Sequence, residues 1–369
     1  MARLELKGIC KGWEYPVLDR LDLTVEAGEF FVVVGPSGIS KSTLLRIIAG
    51  LEVPDAGEVI IGGKDMTRVP PYKRPVALTF ESYALYPHRT VYRNIANPLL
   101  AQRLPPAEIE RRVMDAARML RIEHLLQRKP NEASGGQMQR ISLARTLVKQ
   151  PEVLLLDEPI SHLDARIRYE LRQQFHRIEG LDRVATLFVT HDYTEALSLG
   201  HRVGVMGRGG LIQTGTPQEI YERPGWLFVA KHVGQPPINV VECQLNRANG
   251  VLRAVTDSGA ISFPVDDAHA AMLSRHDTAR VTVGIRPQHL RARLDGEDFD
   301  DNHCTVEGKV ELYEPLGSMG VLIADVGGDK LTVITSPRDH FSVDQPVSIA
   351  LRTEAFHYFN CETGARLVQ

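Results

Sequence analysis

The feature that most constrains this chain is a change of hydrophobic period between residues 30 and 49. Phe30 to Val34 is an unbroken apolar run, Gly35-Pro36-Ser37-Gly38-Ile39-Ser40 follows, and Lys41 to Ala49 sets Leu44, Leu45, Ile47 and Ile48 at helical positions. A short apolar run closed by Gly and Pro predicts a strand buried on both faces, and the new period predicts a helix. A tight turn from such a strand into a helix start points backbone N–H groups and the positive helix end at one place, which suits a phosphate chain. In that geometry Lys41 reaches the β and γ phosphates of a triphosphate, Ser42 sets its hydroxyl on Mg²⁺, and Thr43 continues the helix start beside them. The spacing departs from G-x-x-x-x-G-K-[ST] at one point, because Ser40 stands where the second glycine belongs.

Two more buried strands are expected at Val153 to Leu156 and Ala185 to Val189, with a helical stretch around 165–178 between them. Alternating buried strands and helices predict an α/β core with a parallel sheet, whose ligands gather at the carboxyl ends of its strands. Asp157 and Glu158 stand at such an end. Asp157 is placed to hold Mg²⁺ through water, and Glu158 to polarise an attacking water as general base. His191 follows the other strand in Val-Thr-His-Asp, and Ser134-Gly135-Gly136-Gln137 opens an expected amphipathic helix, QMQRISLARTLVK, exposing N–H groups at a positive helix end. Singly, each has an ordinary structural explanation: a solvated turn for the acidic pair, a packed histidine, a flexible cap. Four phosphate-compatible elements in order outweigh those explanations.

Around this core, residues 3–9 and Leu21, Leu23 and Val25 alternate with period two, which predicts an antiparallel β opening, and Pro106 to Gln127 carries an amphipathic helical pattern. After about Val233, short alternating segments such as VTVGIRP, GKVELYEPLG and GVLIADVGG predict a small all-β barrel. The run Asp295 to Asp301 reads as a solvated acidic loop. At 369 residues the chain is long enough for two to three domains, and its net charge of -3 offers no broad basic field for nucleic acid. The four cysteines lack CxxC spacing, the first residues lack the apolar core of a signal peptide, and the apolar runs are too short to span a bilayer. These features predict a reducing, cytoplasmic location in which any membrane role comes through a partner.

With these motifs in place, the sequence resembles the ATPase subunit of ABC transporters, most of all the carbohydrate-importer subfamily of the maltose-transporter type. The family's signature loop corresponds to Ser134 to Gln137, with Ala133 where Leu is usual. Its D-loop corresponds to Ser161-His162-Leu163-Asp164, its switch histidine to His191, and its adenine-stacking aromatic to Trp13 or Tyr15, with Trp13 preferred over the alternative of a core tryptophan. Thr79 to His88 is similar to the Q-loop that contacts the membrane subunit, with Glu81 in place of Gln, so that Glu81 becomes a candidate for the catalytic and Mg²⁺ sites. Val283 to His289 and Phe356 to Leu367 look like that subfamily's C-terminal OB-type regulatory barrels.

The resemblance implies a P-loop NTPase core of ABC type over residues 1–235, with a helical subdomain at about 89–150, and an all-β OB-type regulatory domain over 236–369. It implies ATP and Mg²⁺ as cofactors, Asp164 near the nucleotide, and two ATPase subunits closing head to tail over two ATP molecules. It further implies transmembrane permease partners, indirectly a solute-binding protein, and a peripheral position on the cytoplasmic face of the inner membrane. The function implied is ATP hydrolysis driving uptake of a sugar, polyol or related small solute. Two rivals are a soluble ABC ATPase without a membrane partner, disfavoured by the Q-loop run, and a regulatory ATP-binding subunit with little turnover, suggested by Ser40 and Glu81 and opposed by Glu158 and His191. Because both departures fall in one composite site, the economical pairing is a heterodimer with a second ATPase chain that supplies the more standard phosphate loop.

Overall fold

The computed structural model describes residues 2–369 apart from 81, 161–167, 169–182, 249, 277, 295–303 and 368–369. Glu81, Asp164, most of the helical stretch expected around 165–178 and the acidic run 295–301 therefore lie outside the described residues. The chain divides into two compact units, residues 1–218 and 219–369.

The first unit opens with the expected hairpin, β1 (Leu4–Gly12) against β2 (Pro16–Val25), followed by β3 (Phe30–Val34), α1 (Lys41–Ala49), β4 (Ala56–Ile61), β5 (Lys64–Asp65) and β6 (Val76–Thr79). Helices α2 (Val91–Ala101), α3 (Pro106–Met119) and α4 (Gly135–Leu147) come next, then β7 (Val153–Asp157), β8 (Ala185–Thr190), α5 (Tyr193–Leu199), β9 (Arg202–Gly207) and β10 (Gly210–Gly215). Strands pair in the order β2-β1-β4-β5 in an antiparallel sheet and β10-β9-β3-β8-β7-β6 in a second sheet. Within the second sheet β9, β3, β8, β7 and β6 run parallel and β10 closes the edge antiparallel.

The reason is legible strand by strand. All five residues of β3 and of β7, and all six of β8, are buried, as strands covered on both faces must be. Leu44, Leu45, Ile47 and Ile48 of α1 join Leu4, Leu6, Phe31, Val33, Leu155 and Leu187 in one apolar core between the sheets. The carboxyl end of α1 is closed by a residue that hydrophobic patterning does not single out. The buried Arg74 donates to the Ile47 and Ile48 carbonyls at 2.8 and 2.7 Å, so a cation answers the negative helix end. Gly50 lies beneath it, and a Cβ there would stand 2.5 Å from Arg74 Nε.

The second unit holds α6 (Pro217–Glu222, which begins at the boundary) and α7 (Leu227–His232), then β11 (Asn239–Ala248), β12 (Val251–Thr256), β13 (Ser262–Pro264), α8 (Asp267–Leu273) and β14 (Arg280–Ile285). It continues with β15 (Leu290–Leu294), β16 (Cys304–Pro315), β17 (Gly320–Val326), β18 (Asp329–Thr335), β19 (Pro346–Leu351) and β20 (His357–Phe359). Two five-stranded antiparallel sheets, β13-β12-β11-β14-β20 and β15-β19-β16-β17-β18, share one core that includes Val241, Phe263, Val283, Val306, Leu322 and Tyr358.

The boundary at 218/219 precedes the expected one at 235/236, and a buried guanidinium supplies the cause. Arg286, 1% exposed, donates to the carbonyls of Ala230 and Val233 and, at 2.9 Å, to that of Tyr221, and its guanidinium stacks 4.2 Å from the Tyr221 ring centroid. Ala230 also packs on Ile238 and Phe359. Helix α7 thus belongs with the β unit.

Two outcomes follow from this packing. A fragment ending at Gln218 should fold more cooperatively than one ending at Gln235, because the longer one strips Ala230 of Ile238 and Phe359 and α7 of its Arg286 clamp; circular dichroism melts of the two would decide it. His357, in contrast, is an acid liability. Burial, reinforced by the Arg366 and Arg286 cations, pushes its pKa down to about 3. Such a group contributes stability that is complete above the unfolded pKa of about 6.5 and is lost as pH falls below it. By pH 5 the loss should reach about 2 kcal/mol, and His357→Gln should flatten that part of the pH profile in denaturant titrations.

Candidate functional site

Parallel strands in register set their carboxyl ends along one edge, and the sequence places a functional segment after each of four neighbours. Val34 of β3 pairs with Thr190 of β8, and Asp157 of β7 pairs with Val189. The loop after β3, the acidic pair at the end of β7, His191 after β8 and the segment after β6 therefore start side by side.

The loop Gly35 to Ser40 is close-packed at its root. A Cβ on Gly35 would meet the Met206 carbonyl oxygen of β9 at 2.5 Å, so glycine here answers a backbone approach as well as any ligand. Two loop residues take the left-handed conformation, Gly38 at φ 78° and Ser40 at φ 72°. For Ser40 that conformation costs about 1–2 kcal/mol relative to glycine, so the expected glycine is missing where the backbone calls for one. Ser40 also caps α1 without a side-chain hydrogen bond. Pro36, Ser37 and Ile39 complete the loop around these turns, and Thr43 is buried in the first turn of α1. Lys41 is buried and folded back, its Nζ donating to the Gly35 and Pro36 carbonyls at 2.8 Å each.

Ser42 turns the other way. Its Oγ donates to Oδ1 of Asp157 at 3.2 Å, joining the helix start to the end of β7. Asp157 is 8% exposed. A hydroxyl and a carboxylate oxygen form the hard donor pair that Mg²⁺ accepts while keeping waters and phosphate oxygens as its other ligands. Among the described residues no group of three or more His, Cys, Asp or Glu is placed to hold a metal.

Glu158 has a left-handed backbone at φ 46° and is fixed from three sides. Its N–H donates to the Val189 carbonyl at 3.0 Å, its own carbonyl accepts from Gln139 Nε2 at 3.0 Å, and its Oε2 lies 2.9 Å from Nδ1 of His191. A strained non-glycine residue persists only where its surroundings over-determine it. The next turn holds His191 in place: Thr190 Oγ1 donates to the buried Glu195 carboxylate at 2.6 Å and accepts from the Asp192 N–H at 3.0 Å, and the Asp192 side chain caps α5.

Helix α4 begins with a reciprocal capping box. The Ser134 N–H donates to Gln137 Oε1 at 2.9 Å, and the Gln137 N–H donates to Ser134 Oγ at 3.3 Å, leaving Gly135 and Gly136 as the bare first turn of a 13-residue helix. Behind that turn, α4 grips the segment after β6. Ser142 Oγ donates to the Tyr83 carbonyl at 3.0 Å, and Arg145 donates to the carbonyls of Tyr83 and Ala84 at 2.9 and 2.7 Å. Both gripped residues have positive φ, 61° and 47°. Burial pulls the Arg145 guanidinium below its ordinary pKa, and these carbonyls answer its charge in place of an acid.

The described residues thus bring together Lys41, Ser42, Asp157, Glu158 and His191. Trp13 is 63% exposed, ruling out a core tryptophan, and with Tyr15 and Lys11 it lines a recess of about 460 Å³ on the first unit. Motif reading missed Gln139, Thr190, Glu195 and Arg145; only their adjacency to the motifs marks them, because their partners are backbone groups or side chains set by the fold.

A parallel sheet with a phosphate loop, an acidic strand end and a capped glycine-rich helix defines an ABC-type P-loop ATPase. The comparisons agree. The ABC transporter family model matches residues 18–161, the MalK OB fold domain model residues 234–290 and the TOBE domain model residues 283–359. The sn-glycerol-3-phosphate import ATP-binding protein of Chromobacterium violaceum is 38% identical over 370 residues, covering 100% of this chain and 96% of that protein. The trehalose/maltose import ATP-binding protein of Thermococcus litoralis is 38% identical over 386 residues, covering 99% of each. Among solved structures, a bacterial ABC transporter cassette in dimeric form is 27% identical with a TM-score of 0.54, covering 58% of this chain and 98% of that one. A post-hydrolysis state of an ATP-binding cassette bound to ADP and Pi is 28% identical with a TM-score of 0.53. The chain belongs to the ABC transporter ATP-binding protein family and is an ATPase of that family.

Glu158→Gln should slow ATP hydrolysis by about 10² to 10⁴ while leaving ATP binding in place, the usual worth of a positioned general base. Lys41→Ala should instead weaken binding itself. Direct nucleotide titration beside a phosphate-release assay separates the two effects, and an unaltered rate in Glu158→Gln would remove this residue from the base role.

Proposed function

We propose that this chain is the energising subunit of an importer that takes up a sugar, polyol or related small solute, including phosphorylated ones. The observation that carries this reading is the match along the whole chain to import ATP-binding proteins for sn-glycerol-3-phosphate and for trehalose and maltose. Transmembrane permease subunits would be its partners, a solute-binding protein would act indirectly, and the chain would sit peripherally on the cytoplasmic face. No described helix is long and apolar enough to cross a membrane.

In the proposed cycle, the N–H groups of the loop Gly35 to Ser40 and the Lys41 ammonium hold the triphosphate, and Trp13 stacks on the base. Ser42 and Asp157 would hold Mg²⁺, which would supply positive charge to the phosphates. Glu158 takes a proton from the attacking water at its carboxylate, and the His191 ring, 2.9 Å from Oε2, fixes that carboxylate and reaches the γ phosphate. The start of α4 at Ser134 to Gln137 is complete and would serve the nucleotide of a facing subunit, with Asp164 nearby. Glu81 would stand beside the Mg²⁺ and the reacting phosphate, where a carboxylate is less favourable than the expected Gln amide.

The positive φ of Ser40 supports the reading that this chain's own phosphate loop binds nucleotide less tightly than a glycine-bearing loop would. Pairing with a second ATPase chain follows from that, since a homodimer would carry the weakness twice. Ser40→Gly should tighten ATP binding up to roughly tenfold, the equivalent of about 1.4 kcal/mol of released strain, and with Glu81→Gln should raise turnover. Mass analysis of the complex purified from native membranes tests the pairing and the transport role together. A homodimer whose ATPase rate ignores the double reversion, or recovery without permease subunits, would overturn the respective part.

A further inference from the structure

The second unit contains a cavity of about 310 Å³ whose charges are poorly balanced. It is lined by Gln288, His289, Arg291, Ala350, Arg352 and Glu354. The fold gathers these residues from two places: β15 and β19 pair with Arg291 opposite Ala350, and each strand is flanked at this end by a short 3-10 turn, Pro287–His289 before β15 and Thr353–Ala355 after β19. The Arg352 N–H donates to the His289 carbonyl at 3.2 Å, tying the two turns together.

Two guanidinium groups and one carboxylate meet there. Glu354 is engaged by Arg352, Nε to Oε1 at 2.9 Å, whereas no carboxylate among the described residues pairs with Arg291. Behind them His289 presents a buried Nδ1 with no hydrogen-bond partner. Burial and then the Arg352 and Arg286 cations hold the His289 ring below its ordinary pKa, against the opposing pull of Glu354 and the Ala355 backbone. The ring thus responds to a net positive environment.

We propose that this cavity is a binding site for a phosphate-class oxyanion, either inorganic phosphate or the phosphate of a small monoester. A carboxylate offers two oxygens, whereas a tetrahedral phosphate dianion offers enough to engage the Arg291 and Arg352 forks and the His289 ring at once, with the second N–H of the Gln288 amide, whose Nε2 already donates to Tyr221 Oη at 2.5 Å, beside them. The volume exceeds what a bare halide needs and leaves room for a small ester group. Bound anion would also favour the protonated ring, turning the orphaned Nδ1 into a donor. The site belongs to the second unit and shares no residue with the phosphate loop.

The test uses the full chain with ¹⁵N-labelled histidine. Inorganic phosphate, a hexose monophosphate and acetate are titrated in turn at constant ionic strength, and the His289 ring signal, assigned by His289→Gln, is followed. Phosphate, the monoester or both should move that signal at millimolar concentrations, and whichever arm is tighter identifies the source. Arg291→Gln with Arg352→Gln should weaken the response at least tenfold, and Arg291→Lys should restore part of it. Lys41→Ala should leave it unchanged, which separates this site from the nucleotide loop. Both arginines are exposed, and unchanged melting curves would certify the fold of the variants. No response to either phosphate ligand, an equal response to acetate, or a response that survives the double arginine substitution would each overturn the proposal.

Discussion

The parallel pairing of β7, β8 and β3 is the constraint on which the rest depends. The register that places Asp157 beside Val189 and Val34 beside Thr190 fixes where each strand ends, and those ends are where the chain changes from apolar to polar. A slip of one residue in a strand buried on both faces would move every side chain to the opposite face and separate Ser42 from Asp157, now 3.2 Å apart. The apolar residues of β3, β7 and β8 therefore stabilise the core and also set the site's geometry. Hydrophobic burial is non-directional, and the ladder converts it into position.

Strain also falls along this edge. Of the nine described non-glycine residues with positive φ, four, Ser40, Tyr83, Ala84 and Glu158, lie here. Three of the four are held by named bonds: Glu158 by Val189 and Gln139, and Tyr83 and Ala84 by Ser142 and Arg145. Gln139, Ser142 and Arg145 all lie on α4, the helix whose first turn is Ser134 to Gln137. One rigid helix thus touches the acidic strand end through its second turn and the segment after β6 through that turn and the next. A shift of α4 cannot leave the backbone at Glu158 or at Tyr83 unchanged, so the two segments are tied mechanically through one helix.

Much of this was legible in the sequence where apolar period and polar motif coincide. The strand at Phe30 to Val34 and the helix at Lys41 to Ala49 follow from patterning alone, because burial on both faces and burial on one face leave different periods. The strands ending at Asp157 and Thr190 were expected within a residue of their observed ends. The partners of the motif residues were not legible. Gln139 and Arg145 sit in a helix of weak amphipathicity and bond to backbone carbonyls more than 18 positions away in the chain, and nothing in their own residue type selects those carbonyls. Arg74 and Arg286 are stronger cases. Arginine patterns as a surface residue, yet each is buried and donates to main-chain carbonyls of a helix end or turn, a solution that only the folded chain specifies.

Arg286 also shapes the electrostatics of the second unit. Its guanidinium is buried on carbonyl oxygens and the Tyr221 face, where water screens its charge little. Burial first, and then cations that include Arg286, hold the His357 and His289 rings below their ordinary pKa, and each has a buried Nδ1 without a hydrogen-bond partner. The cost of protonating either ring is thus set first by burial and only then by neighbouring cations, and a buried Nδ1 without a partner offers no bond to set against it.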